Sequence, residues 1–121
     1  GGGVMALVLR NGDYVPDGLG GFQRAEGAAE VLERVLWKLT VRRGSFPFLP
    51  GLGSRLHTLG LTKPGEREAL AGQYVREALV DEDVDVQEVA LRQKGDRAVV
   101  SVRMEWQGET LAAAVEVGGL V

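Results

Sequence analysis

The sequence has no cysteine and a single histidine. The first absence excludes a disulfide framework, a thiolate metal site and a cysteine nucleophile together. The second excludes the usual multi-histidine zinc site. No apolar run approaches the ~20 residues that a membrane helix needs, and no signal-peptide pattern stands out. A net charge of −3 offers nucleic acid no global attraction. What remains is 121 residues, 45% hydrophobic and 26% charged, a composition expected of one soluble, intracellular-type domain over 1–121. Gly1–Gly3 reads as a flexible tail.

Glycine is abundant, with 18 residues in clusters that read as turns between elements. In the first zone, the apolar run Val4–Leu9 is followed by Asn11-Gly12, a type I′ turn signal, and by Tyr14-Val15. Pro16 and Asp17-Gly18 stop any return strand quickly. A short hairpin or single edge strand fits, with loop through Gly21. In the second zone, Ala28, Val31, Leu32, Val35, Leu36 and Leu39 form one helical stripe. Gly44 is the expected left-handed stop. Leu70, Tyr74, Val75, Ala78 and Leu79 mark a second helix after Thr62-Lys63-Pro64, with Thr62 as its cap. A short helix capped by Ser54 is expected from Ser54 to Leu59.

The third zone alternates with period two. Ala98, Val100, Val102, Met104 and Trp106 share one face, and Leu111, Ala113, Val115 and Val117 repeat the pattern across a Gln107-Gly108 hairpin. Val89 and Leu91 join through Lys94-Gly95-Asp96. Val84 and Val86 have the opposite parity, which implies either a bulge near Gln87 or a strand starting at Glu88. The expected fold is α+β: an N-terminal strand or hairpin, then two to three helices packed on a three-stranded antiparallel C-terminal meander.

Catalytic patterns are weak. Ser54 and His57 are three apart but lie in no activating motif. Among 17 acids no pair is singled out for glycosidase work. Asp81, Asp83 and Asp85 lack the glycine and distal glutamate of an EF-hand loop. Gly51–Leu56 has no Lys-Ser/Thr and so is no phosphate loop. No cofactor is expected and no small-molecule substrate is indicated.

One segment departs from this. From Lys38 to Lys63 there is no acid, while Lys38, Arg42, Arg43, Arg55 and Lys63 are basic and Phe46, Phe48, Leu49 and Leu52 are apolar. Such a loop suits a protein partner, with arginine and aromatics as anchors. It also suits single-stranded nucleic acid, against the net charge. Alternatively the phenylalanines tuck into the core and the arginines cap carbonyls.

The stretch Leu39-Thr-Val-Arg-Arg-Gly-Ser-Phe-Pro-Phe-Leu-Pro-Gly-Leu-Gly-Ser-Arg-Leu56 resembles the phage baseplate wedge family. This family includes protein W of P2-type phages and the lysozyme-like gene-product-25 wedge of T-even phages. The shared pattern is Leu-Thr-x-x-x-Gly, then Pro-x-x-Gly-Ser-x-Leu, and the order of elements agrees over most of Ala28–Val117. Members commonly carry Gly-Glu-Arg after the first helix, where this chain has Gly44-Ser45-Phe46. The resemblance implies a non-enzymatic structural protein of a contractile-tail virion, assembled in the bacterial host cytoplasm and held by baseplate, tube or sheath proteins. It implies no membrane partner. Arg42, Arg43, Phe46, Phe48 and Arg55 would be the anchors of one docking surface. The last strand, through Leu111, Ala113 and Val115, would offer its edge to a strand from a neighbour, with Thr110, Ala112 and Ala114 as a small outward side. An adaptor module of the same fold is the alternative, and a peptidoglycan hydrolase a more distant one.

Overall fold

A computed structural model describes residues 19–120, with side chains from Gly27 onward. The hairpin expected in Val4–Val15 and the tail Gly1–Gly3 lie outside the described residues. Helix α1 spans Leu19–Thr40, α2 spans Arg67–Ala78, and strands β1 (Asp85–Lys94), β2 (Arg97–Trp106) and β3 (Glu109–Val117) follow. Between the helices run 3₁₀ segments at Leu56–Leu61 and Pro64–Glu66. The sheet order is β1-β2-β3, antiparallel throughout, so the α+β meander stands as expected.

Helix α1 begins at Leu19, so Leu19–Gly21, expected as loop, is helical. A glycine costs a helix about 1 kcal/mol, and the ladder of a long helix with a packed face offsets it. Gly27 has a packing role as well: a Cβ there would sit 3.1 Å from the Trp106 ring. The glycine lets the end of β2 close onto α1. All six stripe residues, Ala28 through Leu39, are buried. Helix α2 buries Ala71, Tyr74, Val75 and Ala78. The covered face of the sheet contributes Ala98, Val100, Val102, Met104, Leu111, Ala113, Val115 and Val117 to the same core. At roughly 1.5–3 kcal/mol per large buried side chain, this layer of apolar groups is the main stabilising term.

The turns follow their residues. The hairpin that the sequence signals is of type I′, since Gln107 (φ 49°) and Gly108 (φ 81°) both take positive φ. The register between β1 and β2 shifts between Val86 and Glu88. Of the two readings left open, the bulge at Gln87 is therefore the one present, and it returns Val86 to the covered face.

Three boundary details differ from expectation. Gly44 (φ 88°) does not stop α1, which already ends at Thr40; it closes the next turn instead. Thr62 is no cap for α2; its hydroxyl donates to the Leu59 carbonyl and closes the preceding 3₁₀ turn, while Pro64 opens the next. The short helix starts at Leu56, with Ser54 just outside it. A buried arginine, Arg67, joins these parts: it donates to the Leu59 and Thr62 carbonyls and to Gln93 Oε1 on β1.

Candidate docking surfaces

The loop Val41–Ser54 leaves α1 and returns beside it. Its neck is closed by Ser54 N–H donating to Val41 O (2.8 Å) and Arg43 N–H donating to Ser54 O (2.9 Å). The Ser54 hydroxyl, buried, donates to Leu39 O at 2.6 Å and accepts from the Leu56 N–H at 3.3 Å. It is thereby fixed to backbone, and no hydrogen bond joins it to the exposed His57; the two do not form a nucleophile and base. Gly53 (φ 103°) makes the close approach possible, since a Cβ there would lie 2.6 Å from Val41 O. The tip is turned twice, with Ser45 N–H donating to Arg42 O and Leu49 N–H to Phe46 O. A closed neck and a turned tip make a compact, self-bonded loop.

That geometry sets the apolar side chains outward. Phe48 is 94% exposed, Val80 at the end of α2 is 74% exposed and Leu49 is 55% exposed. Of the readings left open, the one that tucks Phe48 into the core fails, since the ring is exposed at the turned tip. Phe46 is exposed too, and leans on the exposed Trp37 of α1 with ring centroids 6.0 Å apart. A cavity of about 340 Å³ opens between the tip and the end of α2, with Lys38, Arg43, Phe48, Leu49, Glu77 and Val80 among its lining residues.

The anchoring arginines divide. Arg55 forms a two-pronged pair with Glu77 at 2.9 and 3.1 Å and lies 4.5 Å over the Tyr74 ring. The Glu77 hydrogen bonds raise its pKa further, opposed by the loss of hydration. Arg55 therefore braces the loop root against α2. Arg43 stands beside it, 3.9 Å from Glu77 and donating to Gly53 O. Arg42 is exposed and lines a second groove, of about 490 Å³, at the C-terminal end of β3. Consecutive residues thus line different cavities.

Just past α2, Glu82 ties the end of that helix to α1. Its side chain, 6% exposed, takes Arg34 at 2.9 Å and Lys38 at 2.7 Å. The Arg34 hydrogen bonds hold its carboxyl below the usual carboxylate range, with Lys38 adding to the effect and burial opposing it.

The strand edge needs a correction by one residue. In a two-residue hairpin the residues flanking the turn exchange both hydrogen bonds, and such pairs then alternate along the ladder. Trp106↔Glu109 is that flanking pair, so Leu111, Ala113 and Val115 direct N–H and C=O to β2, opposite Met104, Val102 and Val100. Their side chains are buried as well. The outward-facing backbone belongs to Thr110, Ala112, Ala114 and Glu116. Thr110 is exposed, Ala112 half-buried and Ala114 buried. Among the described residues β3 pairs with β2 alone.

Sequence reasoning missed Trp37 and Val80 in the apolar patch. Trp37 follows Leu36 directly and falls off the helical stripe, which was the available signal. Val80 carried none, because its exposure depends on where α2 ends. Among the described residues no group of three or more His, Asp or Glu side chains is placed to hold a metal ion. No helix among them is long and apolar enough to cross a membrane.

No family model and no curated protein matches the sequence. A solved structure does share the fold. It is the crystal structure of a protein from Geobacter sulfurreducens described as a "putative tail lysozyme", with a TM-score of 0.67 at 14% identity, the match covering 78% of this chain and 92% of that one. The α+β arrangement of this chain is therefore shared with a protein named a tail lysozyme.

Proposed function

We propose that this chain is a structural component of a contractile-tail baseplate, a wedge protein that joins baseplate to tube or sheath by protein contacts. The observation that carries the reading is Phe48. A phenylalanine 94% exposed at the tip of a loop whose neck is closed by hydrogen bonds is a preset apolar anchor. Phe46, Trp37, Leu49 and Val80 widen it, and Arg43 and Lys38 rim it. The fold likeness to a protein named for tails supports the setting. The edge of β3 supplies a second surface, by strand addition from a neighbouring subunit.

The proposed role involves no chemical step. A hydrolase of polysaccharide needs one carboxyl with a raised pKa facing another. Of the acids lining the two grooves, Glu116 meets Arg97 at 3.0 Å and Glu77 meets Arg55 at 2.9 Å, while Asp81 lines the groove beside the loop tip.

The test is co-expression with the products of the flanking genes. Co-elution of the wild type with one of them, lost in an Arg43→Ala, Phe48→Ala double variant that still folds, is the expected result. Co-elution unaffected by the double variant overturns the loop as anchor, and failure of every flanking product to co-elute overturns the assembly role. A clearing zone on intact peptidoglycan overturns the non-enzymatic role.

A further inference from the structure

The groove at the end of β3 differs in charge from the rest of the chain. Its polar lining comes from Thr40, Arg42, His57, Arg97 and Glu116, with the backbone of Gly118 at its far end. Arg97 is held by Glu116 at 3.0 Å. Arg42 and His57 are both exposed, and among the described residues neither side chain has a hydrogen-bond or ion-pair partner. The chain as a whole carries −3, yet the one carboxylate in this groove is already matched by a cation, which leaves Arg42 in excess. The groove also continues the outward edge of β3, since Glu116 contributes both an edge backbone and a groove wall.

We infer that the segment received at this edge is an extended acidic stretch of another protein, with a carboxylate seated between Arg42 and His57 where the strand passes the end of β3. This rests on the strand-addition reading above and adds the partner's chemistry to it. Main-chain hydrogen bonds to Thr110, Ala112, Ala114 and Glu116 are indifferent to sequence, so they supply affinity without choice. The cationic end supplies the choice and fixes the register, because a strand shifted along the ladder would take its carboxylate off Arg42. A lysine at the same place would meet the guanidinium and be rejected.

The experiment uses the full chain, labelled with ¹⁵N, and three soluble ten-residue peptides of alternating valine and threonine. Each carries aspartate, serine or lysine at the position that reaches the groove. Protection of the amides of Thr110, Ala112, Ala114 and Glu116 reports docking at the edge whatever the charge. The order of affinities reports the charge preference. The expected result is edge protection with all three, and binding of the aspartate peptide about tenfold tighter than the lysine peptide at low salt, the gap narrowing as salt screens it. Arg42→Glu, at an exposed position without a partner, is expected to reverse that order while leaving the fold intact. Equal affinities with protected edge amides would overturn the acidic-partner inference and leave strand addition standing. No protection with any peptide would overturn both.

Discussion

The two edges of the sheet are handled differently. At β1 the outward N–H of Leu91 is taken by the Glu68 carboxylate from α2 at 3.1 Å, and Arg67 reaches from the same helix to Gln93. The first turn of α2 thus caps that edge at Leu91 through Glu68, while Arg67 holds the Gln93 side chain next to it. At β3, among the described residues, no side chain bonds the outward backbone of Thr110, Ala112, Ala114 or Glu116, and a groove with an unmatched arginine runs beside it. An edge is a template for another strand unless it is blocked. Among the described residues one edge is covered and the other left available, and the loop shows the same asymmetry: the aromatic tip stands clear while the root is braced by Arg55 and Glu77.

The sharpest way to break the comparison is proline. Ala113→Pro removes an N–H that bonds β2 and is expected to cost about 3 kcal/mol or more. Ala112→Pro removes an outward N–H and no ladder bond, so denaturant unfolding should register a much smaller loss, while strand addition is blocked. If the two variants unfold alike, the assignment of the outward residues is wrong. Next in size is Arg67→Ala on the closed side. It leaves the Leu59 and Thr62 carbonyls without this donor, and a loss of about 2–3 kcal/mol is expected in the same measurement.

Glu82 gives a smaller effect with a pH signature. Its carboxyl is held below the ordinary range, so its stabilising contribution is present above the unfolded-state pKa. That contribution is lost as pH falls through the lower folded-state value. Glu82→Gln should therefore cost about 1 kcal/mol near neutrality, after allowance for solvent screening, and should flatten the acid limb of a stability–pH curve. An unchanged acid limb would mean that the pair with Arg34 and Lys38 does little in solution. Smallest of all is Phe48→Ala. Its thermal unfolding should match the wild type within about 0.5 kcal/mol, whereas a larger loss would show that the ring packs at home and is no anchor.

Much of this was legible in the residues. Period 3.6 in Ala28–Leu39 and period 2 in Ala98–Val117 each state which side is buried, and the parity break at Val86 allowed the bulge as one of two readings. The Arg-Phe loop was legible as unusual because it lacks acids over a long stretch. Other features were not. Local pattern shows that Arg42, Arg43 and Arg55 are basic, but pairing with Glu77 across the fold decides that Arg55 is a brace. The start of α1 was missed because three glycines argue locally against helix, and their penalty is overcome by cooperativity along the element. The strand edge was placed one residue off because burial alternation and hydrogen-bond alternation share a period of two, and only the hairpin pairing fixes the phase between them.

The neck of the loop has a mechanical meaning. Ser54 joins the last turn of α1, through the Leu39 carbonyl, to the first turn beyond the loop, through the Leu56 N–H. Leu39 and Leu56 are themselves core residues. On the proposed role, a pull on a partner held at Phe48 would be delivered into the hydrophobic interior and not dissipate in a slack hinge, which is how a part must be built if it is to carry load between moving neighbours.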